Sequence, residues 1–388
     1  EKLKAQAGPR EANLFYSLCE NGQDTIDKTQ FKQALFDAGL SSLDYRLKSL
    51  FEKLEKHGDQ INFEEFMSFT RTGGLLAEKA LRGELAVPDF RDFSRNLDKI
   101  YDEVLPNRSG DLARYIPPLA EVDPEQFGIA VVTTDGQIYT RGDTNVDFSL
   151  QSMCKPFNYS FAIENLGLEK VNRHVGVEPS GRQFDDLTLM VKGMGGSSLS
   201  PNNKVPFNPM VNAGAIMTTG LINPKDSTND RLQYIREQFG RIIGWNKEET
   251  SGVNLPRFNK TMARQENFKG YNNIATGFLL MATGNIPYSE SLLPDDIHED
   301  SQYEYDFYVE PAVTNALKVY FSICSLEMTG KDVAMAAATL ANGGVCPITQ
   351  DRVMSQKTVR NVLPVVQTAG MYNLSLIHIS EPTRRPII

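Results

Sequence analysis

The sequence predicts an α/β (α+β) domain preceded by a small all-α module, and three observations carry that reading. Residues 10 to 70 place apolar side chains at helical spacing in four short runs (Leu14, Phe15, Leu18; Phe31, Leu35, Phe36; Leu47, Leu50, Phe51, Leu54; Phe63, Phe66, Met67), the mark of a helical unit. Gly128-Ile129-Ala130-Val131-Val132-Thr133-Thr134 and Gln137-Ile138-Tyr139-Thr140-Arg141 are β-rich runs flanking Asp135-Gly136, the clearest hairpin in the chain. Apolar helical stretches then follow one another, which sets helices around a small sheet.

Composition excludes several classes. At 388 residues the chain exceeds one typical domain and can bury a large core. A formal charge of −9 without a basic stripe argues against nucleic acid or an anionic membrane as partner, and no apolar run is long enough to span a bilayer. Cys19, Cys154, Cys324 and Cys346 lack C-x-x-C spacing, which predicts a reducing compartment and no metal site built on cysteine. The chain opens at Glu1 without a methionine, so a processed or partial form is expected, its targeting segment lying outside.

In the module, residues 1–72, Asp24-Thr25-Ile26-Asp27 and Asp59-Gln60-Ile61-Asn62 look like the short pairing strands between EF-hand helices. Setting each isoleucine at loop position eight puts the first ligand positions on Cys19, Asn21, Gln23 and on Leu54, Lys56, Gly58. Calcium needs several oxygen ligands there, mainly carboxylates, so a metal-free EF-hand-like module is expected, whose work is contact. Residues 73–108 read as a connector with a charged helix after Pro88. Tyr115-Ile116-Pro117-Pro118-Leu119-Ala120 reads as an extended, proline-stiffened segment. Beyond the hairpin, a helix is expected from near Ser152 to a stop at Gly167. A glycine-, serine- and proline-rich loop should cover 176–209. Further helices are expected to open in Asn208-Pro209-Met210-Val211-Asn212-Ala213-Gly214-Ala215-Ile216, over 231–243, from 272, over 312–326, and over 331–341, the last closed by Gly343-Gly344.

The stretch the rest serves is Ser149-Leu150-Gln151-Ser152-Met153-Cys154-Lys155-Pro156, the one S-x-x-K in the chain. Helical spacing places Ser152 and Lys155 on one face. A serine hydroxyl becomes a nucleophile when a neighbouring base takes its proton, and an amine whose pKa is lowered by burial can do so. Free N–H groups at a helix start suit an oxyanion. The bland alternative is a serine cap beside a solvated lysine.

Taken with 208–216, Tyr115-Ile116-Pro117, Tyr320-Phe321-Ser322-Ile323-Cys324-Ser325-Leu326-Glu327 and Ala338-Thr339-Leu340-Ala341-Asn342-Gly343-Gly344, this stretch resembles the serine-dependent glutaminases. The likeness is nearest to the animal kidney-type mitochondrial branch. The resemblance implies the serine β-lactamase/penicillin-binding fold and hydrolysis of L-glutamine to L-glutamate and ammonia, with no cofactor or metal. Carried over residue by residue, it makes Ser152 the nucleophile, Lys155 the base and Tyr372 a proton relay. Tyr115, Gln151, Ser152, Asn212, Glu266, Asn273 and Tyr320 would then bind substrate. The residue types suit the ligand, because a carboxylate such as Glu266 pairs with an ammonium and amides bind a carboxylate. Helix caps at Asn212 and Asn273, and core packing for Tyr115 and Tyr320, stay open as alternatives.

The resemblance also implies a homodimer or homotetramer, phosphate as an activator, and a mitochondrial location, otherwise a cytoplasmic one. Three departures bear on it. Residues 192–204 enlarge the loop where the family places its tetramer contacts and phosphate control, and 292–310 read as a second insertion. After Tyr372 the family continues with strands carrying a second oxyanion donor. Here residues 375–388 read as a non-family tail, so the catalytic domain, 109–374, is expected to be truncated. Loss of one such donor costs about 10²–10³ in turnover. A catalytically silent scaffold of the same fold, or an S-x-x-K acylase of the penicillin-binding type, are the alternative functions; the latter lacks Ser-Asp-Asn and Lys-Thr-Gly motifs.

Overall fold

The structure is a computed structural model that describes residues 9–19, 23–42, 44–191, 204–245, 254–284 and 311–370. Tyr372, the tail at 375–388, the 292–310 stretch and all of the 192–204 stretch but Lys204 lie outside the described residues.

The first helical unit comprises α1 (Pro9–Leu18), α2 (Lys28–Asp37), α3 (Lys48–Lys56) and α4 (Phe63–Thr72), with a 3-10 turn at Tyr45–Leu47. Asp27 with Gln30 and Asn62 with Glu65 close capping boxes at the starts of α2 and α4, satisfying donors that the helices cannot. Just before each box, β1 (Thr25–Asp27) and β2 (Gln60–Asn62) pair antiparallel with Ile26 opposite Ile61, the EF-hand-like arrangement. The core beneath them holds Phe15, Phe31, Leu35, Leu50 and Phe66, and Phe15 meets Phe66 edge to face at 5.4 Å. Leu54, at one of the loop positions where a calcium ligand would stand, is wholly buried in the same core. Helix α5 (Gly74–Leu81) adds Ala77 and Ala80, and Leu85 follows, so this core extends past residue 72.

The charged connector helix is α6 (Phe90–Val104). The segment expected to be extended over 115–120 is a helical turn over its last four residues, α7 (Pro117–Ala120). Ile116 stays extended, and proline at the first helical position presets the φ that a helix start needs. The hairpin forms as expected from β3 (Gly128–Val132) and β4 (Ile138–Gly142), with Val132 opposite Ile138.

Its turn is the joint between the two parts of the chain. The wholly buried Gln137 donates from Nε2 to Ala38 O and Val87 O, each at 2.9 Å, and accepts from Val87 N–H at 3.0 Å. Ile138 N–H donates to Gly39 O at 2.8 Å, Ala86 N–H to Asp135 Oδ2 at 2.7 Å, and Arg46 Nη2 to Asp135 O at 2.6 Å. Arg141 pairs with Asp98 and Asp102 of α6 at 2.8 and 2.6 Å.

After β5 (Phe148–Ser149) come α8 (Lys155–Leu166) and α9 (Leu168–His174), then the small pair β6 (Met190–Val191) and β7 (Lys204–Val205) inside the expected loop. Next are α10 (Asn212–Gly220), α11 (Thr228–Ile242), β8 (Arg257–Phe258), α12 (Lys260–Lys269), α13 (Tyr271–Ala282), α14 (Pro311–Cys324), β9 (Leu326–Met328), α15 (Gly330–Ala341) and α16 (Gln356–Ala369). Helix α8 is buried from Phe157 through Ile163, and α10 from Asn212 through Thr219. Helices apolar on all sides belong at the centre of a core, and α10, α16 and α9 pack around α8 while α14 and α13 pack on α10. Among the described residues the strands stay in small sheets, three pairs and the three-stranded β5-β9-β8. No helix of the described residues is long and apolar enough to cross a membrane.

The joint predicts a stability effect. Replacing Gln137 by leucine leaves Ala38 O, Val87 O and Val87 N–H without their partner, and should destabilise the protein by about 1–3 kcal/mol. Urea unfolding of wild type and Gln137→Leu measures it, and an unchanged midpoint would show that the joint carries no stability.

Candidate active site

A cavity of ≈ 1350 Å³ opens between α7, the β3 end of the hairpin, α12, α13 and α14. Tyr115, Gln151, Ser152, Asn212, Glu266, Asn273 and Tyr320 all line it. The fold thus brings together every site residue expected from sequence except Lys155, which sits behind the wall, and Tyr372, which is not described.

The S-x-x-K stretch does not start as an α-helix. Leu150 N–H bonds to Leu326 O, which holds the chain in strand pairing up to that residue. Gln151 then takes the left-handed conformation at φ 48, and Gln151–Cys154 coil as a 3-10 turn before α8 begins at Lys155. A side chain in that backbone region is strained and persists only where its surroundings fix it. In a 3-10 turn side chains three apart eclipse, so Ser152 and Lys155 still leave the backbone on one side. Among the described residues Ser152 N–H takes no backbone partner.

Lys155 is buried at 3 % exposure. Its Nζ donates to Met210 O at 3.0 Å and Asn212 Oδ1 at 2.7 Å, and lies 5.8 Å from the centre of the Phe184 ring. Among the described residues no hydrogen bond joins it to Ser152 Oγ, so the expected direct serine–lysine bond is not formed in this conformation. Burial lowers the amine from its ordinary 10.5 to about 8, against smaller opposing effects of Cys154, Cys324 and Asp185.

Met210 O is presented by a built turn. Asn208 Oδ1 accepts from Met210 N–H at 2.9 Å and Val211 N–H at 3.2 Å, and Asn208 Nδ2 donates to Glu178 O at 2.8 Å. Gly214, one turn into α10, allows the close approach: a Cβ there would stand 1.9 Å from Asn208 O. Asn212 follows as the first residue of α10, behind Val211 at the cap position, and its Nδ2 donates to Asn273 Oδ1 of α13 at 2.9 Å. Neither asparagine is a helix cap; the residue before α13 is Gly270.

At the other end, Glu266 of α12 is buried at 3 % exposure. Tyr115 Oη stands 2.6 Å from Glu266 Oε1 and 2.9 Å from the Gln151 side-chain amide. A phenol has one proton to give, and the carboxylate is the stronger acceptor. Burial pushes the Glu266 carboxyl up, and its hydrogen bonds from Tyr115 and Gln151 pull the other way. Tyr115 is 54 % exposed and therefore no core aromatic, whereas Tyr320 is buried and its phenol is raised well above its usual value, chiefly by desolvation.

Of the lysine's neighbours, sequence reading named Asn212 and missed the others. Met210 acts through its backbone carbonyl, which no residue type advertises, and Phe184 and Asp185 come from a loop without periodicity. The Asn208-Pro209 pair was the available signal, because asparagine before a proline favours a turn. Cys324, one turn beyond Tyr320 on α14, also lines the cavity.

The glutaminase family model matches residues 110–299 and 300–380, and an EF-hand domain model matches residues 10–88. The first match breaks within 292–310 and runs past Leu374, where sequence reading ends the catalytic domain. The mitochondrial liver isoform of glutaminase from Mus musculus is 30% identical over 383 residues, 96% of this chain and 57% of that protein. A glutaminase from Microcystis aeruginosa is 37% identical over 293 residues, 76% of this chain and 73% of the relative. A solved structure of Mglu in its glutamate form is 28% identical with a TM-score of 0.58, over 73% of this chain and 55% of that one. The chain thus spans little more than half the length of the mouse protein. On the extent of the family match and the identity to these relatives, the chain belongs to the glutaminase family.

Proposed function

We propose that the chain hydrolyses L-glutamine to L-glutamate and ammonia through an ester on Ser152. The observation that carries this reading is a buried amine of lowered pKa, three residues from a serine on the wall of a cavity with an acidic end and an amide end. Glu266, held by Tyr115, suits the substrate ammonium, and the N–H groups of Asn212 and Asn273 suit its carboxylate. The relative solved in its glutamate form supports an amino-acid ligand.

In this reading the neutral Lys155 amine takes the Ser152 proton as Oγ attacks the side-chain amide carbon. The C–O bond forms, the carbonyl oxygen gains the negative charge, and the Ser152 N–H at the start of the 3-10 turn stabilises it. Collapse breaks the C–N bond, and the proton held by Lys155 reaches the leaving nitrogen, which departs as ammonia. Water then attacks the ester, its proton returns through the same amine, and glutamate leaves. Tyr372 is assigned to the proton relay by resemblance to the family. A mitochondrial location and a homodimer or homotetramer are proposed on the same footing, with the mitochondrial relatives in support; sedimentation of the purified chain tests the assembly.

Two predictions follow from the roles. Lys155 works as a base only when neutral, and the neutral fraction rises as pH climbs through about 8. The value of kcat/KM for glutamine should therefore rise about tenfold per unit below that pH and level off above it. Ser152→Ala should lower ammonia release by at least about 10³. Equal release by wild type and Ser152→Ala would leave a scaffold, and a flat profile from pH 6.5 to 9 would remove Lys155 as the base.

Glu266→Gln keeps the shape of the acidic end and removes its charge. A hydrogen bond to a charged group contributes about 1.5–3 kcal/mol, so KM should rise about 10–100-fold with a smaller change in kcat. An unchanged KM would move the ammonium elsewhere in the cavity.

A further inference from the structure

The contacts of Lys155 assign Asn212 a duty beyond touching a ligand. A neutral amine has two N–H bonds and one lone pair, whereas an ammonium has three N–H bonds and no lone pair. Met210 O and Asn212 Oδ1 are two acceptors, at 3.0 and 2.7 Å. They engage both hydrogens of the neutral amine and leave its lone pair without a partner.

The amide of Asn212 must turn its oxygen toward the lysine for this to hold. Its nitrogen then faces Asn273 Oδ1 at 2.9 Å. With its oxygen engaged there, Asn273 has its own NH₂ group left for the cavity that both asparagines line. One orientation is thus handed from a buried amine through two amides to the cavity wall. Turned over, Asn212 would give an N–H to the lysine, occupy the lone pair and reverse the donors at Asn273.

We propose that Asn212 is a positioning residue: it holds the Lys155 amine with its lone pair reserved for Ser152, and sets Asn273 to offer only N–H donors to an anionic substrate group. The inference rests on Lys155 being the base. The groups that face the amine from packed elements are Asp185 of the loop after α9, Cys324 of α14, and Cys154 of its own turn, besides the Phe184 ring. The side chain of Asn212 bonds both the amine and Asn273, and so links the amine to the amide end of the cavity.

The test uses two variants with opposite signs. Asn212→Asp keeps an acceptor beside the amine and adds a negative charge, which favours the ammonium. The pH limb of kcat/KM should move up by about one to three units, lowering kcat/KM at pH 7.5 about tenfold or more. Asn212→Leu removes the acceptor from the charged form, and the limb should move down. Both should raise KM, because neither can donate to Asn273 Oδ1. The titration of Lys155 Nζ, followed by ¹⁵N NMR on lysine-labelled protein and assigned with Lys155→Met, should shift with the limb in each variant.

A merely structural asparagine would lower activity in both without moving either titration in opposite directions, and that result overturns the proposal. Wild-type protein that releases no ammonia from glutamine sinks the proposed reaction instead. The Nζ titrations still decide the positioning role in that case, unchanged midpoints in both variants counting against it. Should Asn212→Asp fail to fold, a downward shift in Asn212→Leu is sufficient; should Asn212→Leu fail, Asn212→Ala, which also removes the acceptor, takes its place.

Discussion

The glutaminase-family part of this chain is arranged around one costly act, the burial of the Lys155 amine. Removing a cation from water is unfavourable by several kcal/mol unless acceptors replace the lost hydration, or the group gives up its proton. Both remedies are built in. Two carbonyl oxygens meet the nitrogen, and the lowered pKa makes the neutral form accessible near pH 8. The surrounding helices explain why no more water-like setting is available, since α8 and α10 are buried through most of their lengths and α14 closes the side. The same apolar packing that forms the core is what tunes the amine.

That requirement reaches outward in the chain. The amine needs Met210 O, which needs the Asn208 turn, which needs Gly214 to let α10 pass close behind it. It needs Asn212 in one orientation, which engages Asn273 on α13. The strained Gln151, tied by its side chain to Tyr115 and by its neighbour Leu150 to β9, forces the tight turn that puts Ser152 on the cavity wall. Acidic and amide ends of the cavity thus come from helices far apart in sequence, with the serine between them.

Much of this was legible in the residues. Periodic apolar runs gave the module helices, and Asp135-Gly136 gave the hairpin, because these signals are local and repeat over many residues. Ile26 opposite Ile61 was foreseeable because the EF-hand pairing has a fixed place in each loop. The two- and three-residue strands β5 to β9 were not, since they are too short to carry a period and are made by tertiary pairing. Helix α16 escaped notice because Pro364 breaks its pattern. At the site, the S-x-x-K spacing pointed to Ser152 and Lys155, and the family resemblance to Glu266 and the asparagines, but neither pointed to the 3-10 turn or to the lysine's second acceptor, Met210 O. Those depend on a backbone carbonyl and on a φ angle that a glutamine rarely adopts.

The joint at Gln137 has a consequence for how the chain is made. Chains leave the ribosome from the N-terminus, and domains tend to fold as they emerge. The partners of Gln137 and of the Asp135-Gly136 turn belong to residues 38, 39, 46, 86 and 87, all translated earlier. When the hairpin appears, its receptor is already synthesised. The side of the joint that belongs to residues 38–87 thus precedes, in synthesis, the hairpin that docks on it.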